Sequence, residues 1–299
     1  MRTIAGDKHL NTYCVKYFIN DRGELSGMDA KELEKLHMLQ LKIVREIKRI
    51  CIEYNIKFFL DWGSMLGAVR HQGFIPWDDD MDIGMLASDY KKFLEVAPQA
   101  LGKEFFIDYY PQNPQCGIVY AKVCLKNTIY MEGLSANDME NAIFVDIFPY
   151  FFRAEGIRAR KIEDVKLIVL SQIFMAQSGM KVWIYSHGLS KIKFIPIRMC
   201  SKLFDKKTIY KKIQKIYTKH KEGSYLGVLG GTACEYAYSY PYDCFDEIIE
   251  VMFGDDYFPI PKRYDEILKI NYGNYMALPP ENKRTMHDIF KLDFGPYND

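Results

Sequence analysis

Arg70-His71-Gln72-Gly73-Phe74-Ile75-Pro76-Trp77-Asp78-Asp79-Asp80-Met81-Asp82-Ile83 decides how this 299-residue chain is read. Four carboxylates fall within five positions, directly after a Gly-Phe-Ile-Pro-Trp run that cannot be helical throughout. Asp80-Met81-Asp82-Ile83 alternates polar and apolar. On a strand, both carboxylates would project from one face while Met81 and Ile83 turn into the core. Carboxylates that close repel each other, and a hard divalent cation such as Mg2+ or Mn2+, ligated by oxygen, relieves the repulsion. A solvated acidic turn is the competing account of a bare Asp-x-Asp. Bulky Ile75, Trp77, Met81 and Ile83, interleaved with the acids, favour a rigid, half-buried strand edge.

Upstream, Ile56-Lys57-Phe58-Phe59-Leu60 reads as a short strand, and Asp61-Trp62-Gly63-Ser64-Met65-Leu66-Gly67 as the turn into a helix. Gly63 lets a backbone approach a ligand closely, and Ser64 can cap the turn or offer its hydroxyl to a phosphate oxygen. Backbone N–H groups at a helix N-terminus favour anions. Capping alone accounts for an isolated Gly-Ser. The order strand, Gly-Ser turn, helix, Asp-x-Asp strand is more specific, because it sets a phosphate-holding turn beside a metal-holding strand, as phosphoryl transfer requires.

The same fourteen residues, extended back through Gly63-Ser64-Met65-Leu66-Gly67-Ala68-Val69, resemble the signature of the LicD family. These are phosphocholine transferases and relatives, grouped with fukutin-type proteins in the nucleotidyltransferase superfamily. Phe144-Val145-Asp146-Ile147-Phe148-Pro149 is similar to the family's later strand bearing a third acid. A C-terminal block around Pro259-Ile260-Pro261, Tyr264-Asp265, Tyr272-Gly273-Asn274-Tyr275-Met276 and Leu278-Pro279-Pro280 also resembles the family, so the likeness spans roughly Leu33 to His287 with a poorly matched middle. It implies a nucleotidyltransferase-like α+β fold, a mixed sheet flanked by helices. It further implies transfer of a phospho-alcohol group from a CDP-activated donor such as CDP-choline to a glycan or lipid-linked glycan hydroxyl. Asp80, Asp82 and Asp146 would then hold the metal, with Gly63 and Ser64 cradling the diphosphate.

Several residues carry two readings. Asp146 lies between Val145 and Ile147, where an unpaired carboxylate is costly; it is a third metal ligand, a base for the acceptor hydroxyl, or the buried partner of a cation such as Lys122. Lys122 in turn either reaches a donor phosphate or faces outward from an edge strand. Arg70 and His71 orient phosphates or cap the helix C-terminus. Trp62 and Trp77 stack on a base or quaternary ammonium, or simply pack. His287 matches the family-like pattern without local chemistry of its own.

Composition sets bounds. A hydrophobic content of 48%, a charged content of 26% and a net charge of +1 describe a globular chain and exclude a general nucleic-acid binder. Seven scattered cysteines with no C-x-x-C spacing argue against zinc and a disulfide framework. No signal core or spanning run is apparent, so the expected location is cytoplasmic, or peripheral at the inner face of a membrane.

Along the chain, Asp29-Ala30-Lys31-Glu32 reads as a capping box for a helix whose apolar positions Leu36, Leu39, Ile43, Ile47, Ile50 and Tyr54 recur every three or four residues. A second helix covers 88–96, strands cover 104–110, 117–125, 128–132 and 142–148, and a late helix covers 262–271. The expected division is a catalytic core over 1–150 and a mainly helical region over 151–299 whose C-terminal block packs back on the core. Between Lys181 and Lys221 twelve Lys or Arg residues face one acid, Asp205, with Leu203, Ile209, Tyr210, Ile213, Ile216 and Tyr217 marking an amphipathic helix. That segment is a contact for anionic lipid or glycan, or a solvated face. A nucleotide-attaching enzyme and a non-catalytic glycan- or membrane-binding protein are the alternative functions. An acid retained inside an apolar strand speaks against the second.

Overall fold

The structure, a computed structural model, describes residues 18–19, 25–26, 28–132, 142–180, 182, 192, 194–230, 234, 236–284, 286–287 and 289–298. Cys14 and Lys181, Lys191 and Lys193 of the basic segment lie outside them. After a short antiparallel ladder, β1 (Phe18–Ile19) with β2 (Leu25–Ser26), the long helix α1 (Ala30–Glu53) begins at a capping box: the Asp29 carboxylate accepts from the N–H of Lys31 and Glu32, and Glu32 accepts from Asp29 N–H. Its apolar stripe, Leu36, Ile43, Ile47 and Ile50, is fully buried against the sheet.

The sheet has seven strands. β3 (Phe59–Leu60) pairs antiparallel with β4 (Asp82–Leu86), and β4 pairs parallel with β8 (Phe144–Phe152). The parallel pair requires a crossover, supplied by α3 (Ala87–Ala100) and the hairpin of β5 (Phe105–Asp108) with β6 (Ala121–Leu125). β6 pairs with the first half of β8, and β9 (Tyr225–Gly230) with its end, leaving β10 (Tyr236–Pro241) outermost. β8 is therefore the spine, buried over eight of its nine residues. Between β3 and β4 sits α2 (Trp62–His71), and β7 (Ile129–Glu132) pairs with β13 (Ile289–Asp293), which returns the C-terminus to the core.

Helices dominate the described residues of 157–217, as α4 (Ile157–Gln177), α5 (Ile195–Leu203) and α6 (Lys206–Tyr217), and enclose a second apolar cluster. The remainder differs from the helical expectation: β9 and β10 extend the same sheet, β11 (Ile248–Phe253) pairs with β12 (Asp256–Pro261), and α7 (Tyr264–Tyr272) is the one α-helix after α6 among the described residues. Gly227 shows why β9 is hard to see in sequence. A Cβ there would strike the side chain of Arg153, which is buried beneath it, so a strand-weakening glycine is required.

Candidate active site

Strand register builds a polar row across the sheet. Asp82 in β4 lies opposite Asp146 in β8, Asp146 opposite Lys122 in β6, and Lys122 opposite Asp108 in β5. Residues in register share a face, so the row is one continuous charged strip. Asp61 continues it, since its N–H donates to the Asp82 carbonyl at 3.0 Å. Val145 and Ile147 point the other way and are fully buried, which holds Asp146 in place. Lys122 Nζ lies 3.0 Å from Asp146 Oδ1, so the buried-partner reading of this pair is the geometry observed. β6 is interior to the sheet, which rules out the edge-strand reading of Lys122.

Asp80 departs from expectation. β4 starts at Asp82, and Asp80 lies in the preceding loop. The cause is tertiary: α1 donates from His37 Nε2 to the Asp78 carbonyl at 2.7 Å and from Gln40 Nε2 to the Asp79 carbonyl at 2.9 Å, satisfying backbone groups that a ladder would otherwise hold. Asp79 turns inward. Its fully buried carboxylate accepts from Tyr130 Oη at 2.7 Å, from His287 N–H at 3.1 Å and from His287 Nδ1 at 3.0 Å. His287 thereby joins the acids, 3.7 Å from Asp80. Asp79, Asp80 and His287 bring ligand atoms within 4.8 Å of one another, a grouping able to hold a metal ion.

Burial and mutual repulsion disfavour the charged forms of most of these acids. Burial, then Asp80, Asp146, Asp61 and Asp78, pushes the Asp82 carboxyl well above the usual carboxylate range. Burial, then Asp80 and Asp79, does the same to Asp78. Burial raises Asp61 to about 7 against hydrogen bonds from Tyr150 Oη and Trp62 N–H. Asp79 is the exception: His287 and Tyr130 overcome its burial and hold it below the ordinary value.

A cavity of about 410 Å³, within the range of small-molecule sites, meets the row at Asp82. Trp62, Gly63, Arg70, Trp77, Asp80 and Asp82 of the expected residues line it. Ser64, His71, Lys122 and Asp146 do not. The Ser64 hydroxyl is occupied structurally, accepting from Asp82 N–H at 2.8 Å, and the cap of α2 is Asp61 rather than Ser64. Gly63 permits a close approach by Asp78: a Cβ there would lie 2.5 Å from Asp78 Oδ2. Arg70 is fastened to the C-terminal block through the Tyr275 carbonyl at 2.7 Å, and its Nε donates to His71 Nε2 at 2.9 Å. Trp62 holds a positive φ of 40°, rare for a bulky residue, and packs edge-on against Tyr238.

Residues 55–169 match the family described as LicD/FKTN/FKRP, nucleotidyltransferase domain. Residues 55–169 thus carry a domain of that family. The LicD-type domain takes in the whole row from Asp61 to Asp146, while the cavity wall also draws on residues beyond it. Among relatives, the lipopolysaccharide cholinephosphotransferase LicD of Haemophilus influenzae is 27% identical over 270 residues, covering 86% of this chain and 96% of that protein. The ribitol 5-phosphate transferase FKRP of Mus musculus is 27% identical over 117 residues, 38% of this chain and 21% of that protein. An uncharacterised protein of Rickettsia prowazekii, RP689, is 30% identical over 111 residues, 37% of this chain and 40% of that protein. Two of these relatives are named for the transfer of phospho-alcohol groups, phosphocholine in one and ribitol 5-phosphate in the other.

Sequence reasoning overlooked Asp78, Tyr272, Asn274 and Tyr275 on the LicD-type cavity wall and undervalued His287. Asp78 had a signal, since it belongs to the acidic run. The others come from about two hundred residues downstream, and only their place in the C-terminal block hinted at a role. Trp77 is also engaged from there, with the Arg284 guanidinium 4.7 Å from its ring.

Proposed function

We propose that this chain transfers a phospho-alcohol group, phosphocholine first among them, from a CDP-activated donor to a hydroxyl of a cell-surface glycan or its lipid-linked precursor, with CMP leaving. The observation that carries this reading is the group of carboxylates Asp78, Asp80 and Asp82 on the cavity wall, with Asp146 in register beside Asp82 and with Asp78 and Asp82 driven above their ordinary pKa by burial and neighbouring acids. Oxygen donors whose negative charges repel one another suit Mg2+ or Mn2+. Asp80, Asp82 and Asp146 would hold the ion, which supplies charge neutralisation on the diphosphate. Both oxygens of Asp79 already accept hydrogen bonds, which suits it to positioning His287 instead.

The chain's own groups divide the remaining work. Lys122 pairs with Asp146 and holds it in place. The N-terminus of α2 and the Arg70 guanidinium favour the diphosphate. Because His287 Nδ1 donates to Asp79, Nε2 is the ring's acceptor, fit to take the proton of the attacking hydroxyl. Trp62, Trp77 and Tyr272 offer aromatic surface to a quaternary ammonium, worth on the order of 1 kcal/mol.

Calorimetry with Mg2+ tests the donor. CDP-choline is expected to bind more tightly than ATP, and to lose its heat when Mg2+ is removed. CDP-ribitol and CDP-glycerol, measured alongside, identify the alcohol. Tight Mg2+-dependent binding of ATP with no heat from any CDP-alcohol would replace this reading with a nucleotide-attaching enzyme.

A further inference from the structure

The helices that follow β8 treat their apolar side chains in opposite ways. α6 turns Ile209, Ile213 and Tyr217 into the second apolar cluster and leaves Lys207, Lys211, Lys212 and Lys215 exposed. α5 does the reverse. Ile197 is its one buried residue, whereas Ile195, Met199 and Leu203 are 49%, 59% and 73% exposed. These three recur every four residues and so form a single outward stripe. α4 packs against α5 and leaves Ile162, Val165 and Val169 exposed as well, again at helical spacing. An apolar stripe facing outward on a packed helix calls for a covering partner.

The surrounding charge is predominantly positive. Arg158, Lys161 and Lys166 on α4 and Arg198 and Lys202 on α5 are exposed. The acids in described residues of 157–217 are all committed elsewhere. Glu163 is bound by Lys219 and His220, Asp164 by Arg153, and Asp205 by the N–H of Thr208 at the start of α6. No helix of the described residues is long and apolar enough to cross a membrane, so a lipid contact here is peripheral.

We infer that α5, flanked by α4, is a docking surface for an anionic lipid bilayer, with Ile195, Met199 and Leu203 entering the boundary between headgroups and acyl chains while the neighbouring cations face lipid phosphates. The apolar stripe selects lipid over other polyanions. A soluble anionic glycan would engage the lysines and arginines but would leave the stripe in water. A second copy of the chain would bring the same cations face to face. Amphipathic helices with basic polar flanks lie in the interface in this way, with apolar burial and headgroup attraction acting together.

The test uses the full chain with vesicles of phosphatidylcholine alone or mixed with phosphatidylglycerol, at about 150 mM salt so that purely electrostatic contact is screened. Wild-type protein is expected to co-sediment with the anionic vesicles only. Met199→Glu/Leu203→Glu should weaken that binding at least tenfold with an unchanged melting temperature, because both side chains are exposed. Arg198→Glu/Lys202→Glu should weaken it to a smaller degree. Leu203→Trp should shift its emission to shorter wavelength on anionic vesicles. Wild-type binding by the Met199/Leu203 variant, unshifted emission from a vesicle-bound Leu203→Trp, or no wild-type co-sedimentation would each overturn the proposal. So would a wild-type dimer in analytical ultracentrifugation that the apolar variant abolishes, which would assign the stripe to self-association.

Discussion

The charged row of the sheet and the basic helices α4 to α6 are the two concentrations of charge in this chain, and folding has handled them differently. On the sheet, Asp61, Asp82 and Asp146 are buried side by side, with Lys122 as the cation in register. On the helices, the lysines and arginines of the outer faces are exposed, and the buried Glu163 and half-buried Asp164 are spent on neighbouring cations. Exposed like charges cost little, since water and salt screen them. Buried like charges repel at low dielectric and push pKa values upward, as at Asp82 and Asp78. A buried, self-repelling cluster therefore points to a bound counter-charge. An exposed one supplies only a field, and needs something more, such as an unpartnered apolar stripe, before it points to a partner.

The largest effect that separates the two regions is on turnover. Asp82→Asn should cost a thousandfold or more, several kcal/mol of transition-state stabilisation, while raising the melting temperature of the metal-free protein because one buried charge is gone. Lys211→Gln/Lys212→Gln on α6 should leave both quantities near wild type, since exposed substitutions fall within about 0.5 kcal/mol. Steady-state rates and melting curves on the purified variants decide it. An active Asp82→Asn enzyme would remove the metal role from the row.

How far each region could be read in advance follows the same physical divide. α1 was legible because its capping box and stripe are local, and the apolar face of α6 because it repeats along one helix. The strand carrying Asp146 was legible because a carboxylate between valine and isoleucine is costly anywhere. The start of β4 was not, because His37 and Gln40 of α1 take the Asp78 and Asp79 carbonyls while Tyr130 and His287 hold Asp79 inward from 51 and 208 positions away. Nor was the start of α2, where Asp61 takes the cap and Trp62 adopts a positive φ. Leu203, grouped in sequence with the stripe of α6, ends α5 instead and faces outward, because the chain breaks at Phe204–Asp205 before α6 is capped. His287 and Arg284 reach the site through tertiary contacts that no local pattern encodes.

The next comparison concerns the ion pair of the row itself. Asp146→Asn leaves Lys122 without its carboxylate in a largely buried position, and should destabilise the fold by about 3 kcal/mol. Lys122→Met should do likewise by leaving Asp146 beside Asp82 with no cation. The double variant Asp146→Asn/Lys122→Met should recover much of that stability but none of the activity. Denaturant midpoints for the four proteins form a double-mutant cycle. Additive losses would mean that Lys122 and Asp146 act independently, and would return Lys122 to a role on the donor phosphate.

The smallest effect lies in the helical region and runs in the opposite pH direction from the site. Burial works to raise Glu163, but hydrogen bonds from His220, Lys219 and the Ala154 N–H prevail and hold it down to about 2, below the ordinary glutamate value of 4.5. A depressed folded-state pKa means that the unfolded chain binds more protons between those values. The stabilisation is therefore present above pH 4.5 and lost as pH falls toward 2. Raised carboxyls such as Asp82 behave in the reverse sense, contributing most when protonated and losing that contribution as pH rises. Glu163→Gln should cost about 2 kcal/mol at neutral pH, discounted because its Lys219 partner is solvent-exposed, and the gap from wild type should close as pH falls through the window between 4.5 and 2. Urea midpoints across that range measure the gap directly. A gap that stays constant to the acid end would show that Glu163 holds α4 by packing alone, and would leave the helical region without the compensated charge that sets it apart from the sheet.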